Sequence, residues 1–262
     1  MSKIKKTRVN QDTDTVLMIG AVLVTGVILV VLSALYDSSF LAIVGVSVAF
    51  WSVLLLFFTP TKHTFLALLK ASASAGGSNI ERSLIEFNSD EKGVYLPPQN
   101  LRNFESSIVF VPKTPQTPLP ASNETNEKLF TDKKTGLLLT PPGLALSTMF
   151  ENELGLSFRK INLAQMQIMI TKLIHNLKFA EDAQVRIQDK TITLEVTGSI
   201  FNTLCQETEN SQPRTHAQVG CILASAFACA FAKASDKPII IQKDTLNPDT
   251  KILIIDYRME EV

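Results

Sequence analysis

The chain has 262 residues, 25 basic and 25 acidic side chains, and a mean hydropathy of +0.17. With no net charge and no block of like charge it offers nothing for a phosphate backbone to hold, so nucleic-acid binding is not expected. Its three cysteines, Cys205, Cys221 and Cys229, are odd in number and lack a framework spacing. That argues against a disulfide-stapled secreted domain and fits a reducing compartment.

In chain order, a basic tail over 1–15 carries Lys3, Lys5, Lys6 and Arg8. Two charge-free apolar runs follow, Val16–Leu35 and Phe40–Phe58, separated only by Tyr36, Asp37, Ser38 and Ser39. Each is long enough to cross about 30 Å of hydrocarbon as a helix, and the short gap predicts an antiparallel transmembrane hairpin over 16–58. The first run is too long for a signal-peptide core, and a second span follows at once. Lys62, Lys70 and Arg82 follow the second run, whereas the turn carries Asp37 and no base. Positive-inside logic therefore places both termini in the cytoplasm, in a multi-pass cell-membrane protein. Phe50 and Trp51 lie deep in the second run and are expected to pack on the first helix. Gly45 and Ala49 permit close helix approach, either within the hairpin or between copies of the chain.

Residues 59–88 suggest two juxtamembrane helices. Lys62 to about Ala75 leaves the membrane and is closed by Gly76 and Gly77. Ser78 to about Phe87 begins with Ser78 and Glu81 as a capping box. The remainder, 89–262, alternates short strands and helices in clusters, which predicts an α+β domain of antiparallel hairpins and helices. Strands are expected at Val94–Leu96 and Ser107–Val111, then a Pro-rich exposed loop over 114–127. A hairpin of Leu129–Thr131 with Leu137–Thr140 turns through Asp132–Gly136. Pro141-Pro142-Gly143 forms a rigid turn before a helix over Leu144–Leu154, closed by Gly155. Asn162 caps a helix to Leu177 whose stripe includes Met166, Ile170, Leu173 and Ile174. Val185, Ile187, Ile192, Leu194 and Val196 alternate with polar residues on either side of Asp189-Lys190, the clearest hairpin in the chain. A short helix from Ser199 to about Glu207 is followed by one long helix over Ala217–Ala234, rich in small residues and buried on most sides. Ile239–Gln242 and Ile252–Tyr257 close the chain as a last hairpin.

Chemical candidates are few. Cys221 and Cys229 are eight positions apart, roughly 12 Å along one helix, too far for a direct disulfide. Cys205 and His216 are the other side chains that could approach them, so Cys205, His216, Cys221 and Cys229 are the candidates for lining a ligand pocket. No C-x-x-C pair or other zinc spacing is present, and packing as small buried hydrophobes is the expected role of the cysteines. His63 is juxtamembrane and His175 sits at a polar helix edge. Glu151 and Glu153 project to opposite sides of their helix and make a poor acid–base pair. No hydrolase elbow, P-loop, dinucleotide fingerprint or metalloprotease motif occurs, and no cofactor is expected.

The two-span layout, GVYLPP at Gly93–Pro98, LLLTPPGLALSTMFENELG at Leu137–Gly155, VTGSIFNTLC at Val196–Cys205 and the small-residue helix from Gly220 ending AKASDKPIII together resemble an uncharacterised family of archaeal membrane proteins. That family reads Gly-Cys-Pro-x-Cys at the helix start. Ala224 stands in place of the second cysteine here, which weakens a thiol-pair role. The C-terminal third is similar in layout to the vinyl-reductase-like small-molecule-binding domain. That domain's last-hairpin cysteines are missing from Lys243–Lys251, so the resemblance implies a fold and no metal. The expected function is a membrane-anchored, non-enzymatic sensor, scaffold or interaction module. Its expected partners are the lipid bilayer and a protein or second copy met through the transmembrane helices. The alternative is a membrane-bound enzyme acting on a lipid or hydrophobic small molecule.

Overall fold

The computed structural model describes residues 3–58, 76–98, 107–120 and 135–260. The helix expected over 62–75, the second half of the Pro-rich loop and the strand Leu129–Thr131 lie outside the described residues. The chain divides into two compact units, Met1–Leu68 and Leu69–Val262.

The first unit is a helical hairpin of α1 (Lys3–Leu35) and α2 (Ser39–Phe58). α1 continues back through the basic tail, and Asp37 makes the turn in a left-handed conformation (φ 50°). Small residues set the helix spacing. A Cβ on Gly26 would lie 2.8 Å from Ala49 N, and one on Gly45 would lie 2.8 Å from Val30 N and 2.9 Å from Gly26 O. The Gly45/Ala49 face is thus filled by α1 of the same chain, in antiparallel register. Trp51 does not pack on α1 as expected, and Phe50 borders α1 only along a shallow groove shared with Val27, Val30 and Val31. Phe50 and Trp51 are both 61% exposed and meet each other edge to face, 6.4 Å between ring centres. The glycine faces already bring the backbones together, leaving the bulky rings outside.

The second unit is built on one seven-stranded antiparallel sheet in the order β3-β2-β1-β6-β7-β5-β4. Its strands are β1 (Val94–Leu96), β2 (Ile108–Pro112), β3 (Gly136–Leu139), β4 (Asp182–Gln188), β5 (Thr191–Thr197), β6 (Ile239–Asn247) and β7 (Ile252–Met259). β3 pairs with β2, and β4 pairs with β5 across the predicted Asp189-Lys190 turn. β6 runs farther than expected, to Asn247, with a register shift between Ile241 and Lys243. Strict alternation holds where one face is covered, as in β7, where Leu253, Ile255, Tyr257 and Met259 point inward. β1 to β3 are buried on both faces. Val94, Leu96, Ile108, Phe110, Leu138 and Ile240 form a second small core on the outer side, joined by Leu119 of the Pro-rich loop.

Helices cover the other face: α3 over 76–87, α4 (Leu144–Leu154), α5 (Leu163–Leu177), α6 (Asn202–Ser211), α7 (Pro213–Val219) and α8 (Ile222–Ser235). α4 ends at Gly155 in the left-handed conformation (φ 64°) and α5 begins at the Asn162 cap, both as the sequence predicts, and Gln165 completes a capping box with Asn162. Three helix expectations are corrected. α3 runs through Gly76 and Gly77 rather than starting after them. The short helix after Ser199 starts at Asn202 and extends to Ser211. The single helix over Ala217–Ala234 is two helices, because Gly220 (φ 82°) takes a conformation that breaks the path between α7 and α8.

Pro213–Ser235 is, by length and composition, the one described stretch long and apolar enough to cross a membrane. It is instead the core of this unit: 83% of its most apolar window is buried inside the protein. Ala224, Ala226, Ala228, Ala230 and Ala232 are all fully buried, which lets neighbouring backbone approach closely. Gly143 provides the tightest approach. A Cβ there would fall 2.7 Å from Ala226 Cα, and its N–H donates to Ser225 Oγ at 2.9 Å. Phe227 and Phe231 carry the packing, each contributing about 1.5–3 kcal/mol by burial. Phe227 meets Phe150 of α4 at 5.4 Å, and Phe231 meets Tyr257 of β7 at 5.1 Å.

Candidate functional site

A cavity of about 510 Å³ opens beside the bend between α7 and α8. Its walls come from the first turns of α3 (Asn79, Ile80, Ser83), the Leu139–Pro142 turn, one side of α6 (Leu204, Glu207, Thr208, Ser211), and Gln212, Thr215, Gly220 and Ile222. Most of the hydroxyls around it are already engaged. Ser83 Oγ donates to Asn79 O at 3.0 Å, Thr208 Oγ1 to Leu204 O at 2.9 Å and Ser211 Oγ to Glu207 O at 2.6 Å. These are back-bonds along each residue's own helix, the usual recourse of Ser and Thr inside helices. The cavity is therefore more apolar in character than its residue types suggest.

Glu81 organises the α3 side. The sequence pattern pairs it with Ser78 as a local capping box, but its carboxylate reaches across to another helix. It accepts from Arg214 N (3.2 Å), Thr215 N (2.7 Å) and Thr215 Oγ1 (2.8 Å). α7 has Pro213 in its first turn, so one orphan donor is absent there, and Glu81 satisfies the next two. A carboxylate at this end also meets the positive pole of the helix.

The four candidate residues do not form one site, and none of them contributes to the cavity wall. Cys205 on α6 and Cys221 at the N-cap of α8 are joined as a disulfide, with Cα atoms 5.1 Å apart. This overturns the expectation of unbridged cysteines and of Cys221 lying within the same helix as Cys229. The break at Gly220 is what swings Cys221 toward α6. Both bonded cysteines are buried, and their chain neighbours Leu204, Gly220 and Ile222 line the cavity. Cys229 is free and fully buried, and burial pushes its thiol up to about 12, so it is inert near neutral pH.

His216 turns away from the cysteines toward β6, where its Nε2 lies 3.0 Å from Asp244 Oδ2. Burial opposes protonation, but the Asp244 contact together with the charges of Asp244 and Glu209 outweighs it and raises the His216 pKa. Lys92, just before β1, donates to Ala217 O at 2.6 Å, and burial lowers its pKa against the pull of Asp244. This group ties β6, α7 and the approach to β1 together.

A second ion pair closes the far end of α8. Lys233 Nζ lies 2.7 Å from Glu151 Oε2, and Glu151 Oε1 accepts from Ser157 Oγ and Phe158 N, each at 2.8 Å. Burial acts to raise the Glu151 pKa, but these donors, Lys233 foremost, bring it below the usual carboxylate value. Glu153, the partner weighed for Glu151, accepts instead from Asn176 Nδ2 at 3.0 Å. Tyr95 donates to Val219 O at the end of α7 and Tyr257 to Ala224 O in the first turn of α8, and burial raises both phenols well above their ordinary values. The sequence signal for Lys233 was visible, since it is the first charge after the apolar run of α8. Asp244 gave no local signal, and the capping-box signal at Glu81 pointed to Ser78 rather than α7, because their partners are far away in sequence.

Among the described residues, no group of three or more His, Cys, Asp or Glu side chains is placed to hold a metal ion. No curated protein matches the chain. No solved structure matches it either. A family model for a domain of unknown function, DUF7982, matches residues 1–258, and the chain belongs to that family.

Proposed function

We propose that the protein is a membrane-anchored binding module. Residues 16–58 cross the bilayer twice, both termini are cytoplasmic, and the α+β unit works as a sensor or scaffold rather than by turnover. The anchor reading draws on the surface of the hairpin. Val24, Val31, Phe40, Ile43 and Trp51 are each more than half exposed, an apolar area far too large to leave in water. Lipid is the cover that the flanking basic residues of the sequence favour. A homo-oligomer through these helices would have to use that outer surface, since the Gly45/Ala49 face is filled within the chain.

The observation that carries the binding reading is the cavity beside Gly220. It is large enough for a small molecule, yet most of its hydroxyls are bonded to their own helices or to Glu81. The two buried ion pairs with the most structure, His216–Asp244 and Lys233–Glu151, tie secondary-structure elements to each other. Such an arrangement suits shape-selective binding of an amphipathic small molecule better than acid–base chemistry. A vinyl-reductase-like layout for the C-terminal third belongs to the same proposal.

The test is purification of the full-length protein in mild detergent, native mass spectrometry for co-purifying molecules, and comparison with Ile222→Trp, which fills the cavity. A bound species present in the wild type and lost in the variant supports the reading. A specific turnover abolished by the same substitution replaces it with the enzyme acting on a hydrophobic substrate.

A further inference from the structure

We propose that Cys205 and Cys221 are a reversible dithiol–disulfide couple, a redox modification site whose co-substrate is an external dithiol or its disulfide. The inference rests on the cytoplasmic placement proposed above. Three features of position argue for it.

The two cysteines join separate helices behind one wall of the cavity, and their Cα separation of 5.1 Å lies within the disulfide range. In the reducing compartment of a mesophile a lasting structural bridge is not expected, and cysteine pairs that do bond there are usually redox-sensing or catalytic. The two positions also differ chemically. Cys221 is the N-cap of α8, a helix of 14 residues with no side-chain cap bond at that end, so a Cys221 thiolate meets the positive helix pole. Cys205 sits on α6 between the cavity-lining residues Leu204 and Glu207.

Cys221 is therefore the leaving group and Cys205 the sulfur attacked. A thiolate of the external dithiol bonds to Cys205 Sγ as the Cys205–Cys221 bond breaks, releasing Cys221 as thiolate. The second external thiol then attacks its own sulfur in the mixed disulfide and releases Cys205. Two electrons and two protons pass to the protein, and the co-substrate leaves as a disulfide. Oxidation runs the same steps in reverse. Cys229 takes no part, being fully buried two turns along α8. Oxidation locks α6 to the start of α8, and reduction frees that wall about the Gly220 bend.

The experiment traps thiols in intact cells carrying the full-length protein. Cells are untreated, exposed to the thiol oxidant diamide, or exposed and then returned to dithiothreitol, then quenched in acid and tagged with a mass-shifting maleimide. The expected result is a mostly reduced pair in untreated cells, an oxidised fraction at least about fivefold higher after diamide, and full return. Cys229→Ser should respond as the wild type does, and Cys205→Ser should not respond. Cys221→Ser should accumulate a mixed disulfide at Cys205 with an added monothiol. Amide exchange in α6 should be about tenfold faster in the reduced protein. A pair oxidised or reduced under all conditions, a mixed disulfide on Cys221 instead, or identical α6 exchange in both states would overturn the proposal. Labelling of a cysteine at Asp249 from outside the cell separates the two failures. A permanently oxidised pair in an external domain refutes the placement, and the same result in an internal domain refutes the couple alone.

Discussion

Replacing Glu151 by Gln should destabilise the protein by about 3 kcal/mol, because it leaves the Lys233 ammonium without its carboxylate at the buried end of α8. Lys233 is only 6% exposed and its Nζ lies 2.7 Å from Glu151 Oε2. Breaking a fully buried pair costs about 3–5 kcal/mol, and the 14% exposure of the Glu151 side chain puts this case at the lower end. Gln keeps an oxygen for Ser157 and Phe158, so the loss is of charge. Glu151→Ala also strands those two donors and should cost roughly 2 kcal/mol more. For a unit of this size, 3 kcal/mol lowers Tm by about 6–12 °C, measurable by circular dichroism on the full-length protein in detergent. The double variant Glu151→Gln, Lys233→Met should recover most of the loss, since an apolar replacement for a buried pair is close to neutral. Because the Glu151 pKa is lowered on folding, its contribution is present above pH 4.5 and lost as the pH falls through the folded-state value. Glu151→Gln should remove that part of the acid sensitivity. A Tm loss under about 2 °C, or no rescue by Lys233→Met, would refute the reasoning.

The His216 pKa is raised on folding, so the His216–Asp244 pair contributes most below pH 6.5 and fades as the pH rises through the folded-state value. His216→Gln should therefore flatten the stability profile above pH 6.5 in chemical unfolding, and an unchanged profile would count against the pair. Glu81→Ala should cost about 2 kcal/mol by uncapping α7. By the same logic a soluble fragment starting at Leu69 should melt higher than one starting at Asp90, which lacks α3 altogether, and equal melting would refute the capping role. Gly26→Val should push α1 and α2 apart, since a Cβ there meets Ala49 backbone at 2.8 Å. Loss of a disulfide crosslink engineered across the two helices would show it, whereas undiminished crosslinking would not fit.

What the sequence made legible follows the range of the interactions. Helix ends with local chemistry, the Asn162 cap and the Gly155 cap, were readable because every participant lies within a few residues. The β4–β5 hairpin was readable because alternation and the Asp189-Lys190 turn agree. The break at Gly220 was not, because a lone glycine in an Ala-rich apolar run is compatible with a continuous helix. Gly220 also lies against Ile241, a residue far away in sequence, whose Cδ1 would be 2.6 Å from a Cβ there. Missing that break hid the Cys205–Cys221 pairing as well. Glu81 shows the same limit: a capping-box spacing fits the local pattern, yet a helix start 134 positions away holds the side chain. The cavity is a product of these distant contacts, so its lining could not be assembled from spacing.

The most direct test of a membrane-anchored module with an internal α+β unit is thiol labelling of intact cells with a membrane-impermeant maleimide. Single cysteines are placed at Ser39, at the start of α2 beside the hairpin turn, and at Asp249, in the exposed β6–β7 turn, with the native cysteines replaced by serine. The account predicts labelling at Ser39 from outside and labelling at Asp249 only after the membrane is opened. Labelling at Asp249 in intact cells, with Ser39 protected, would contradict it.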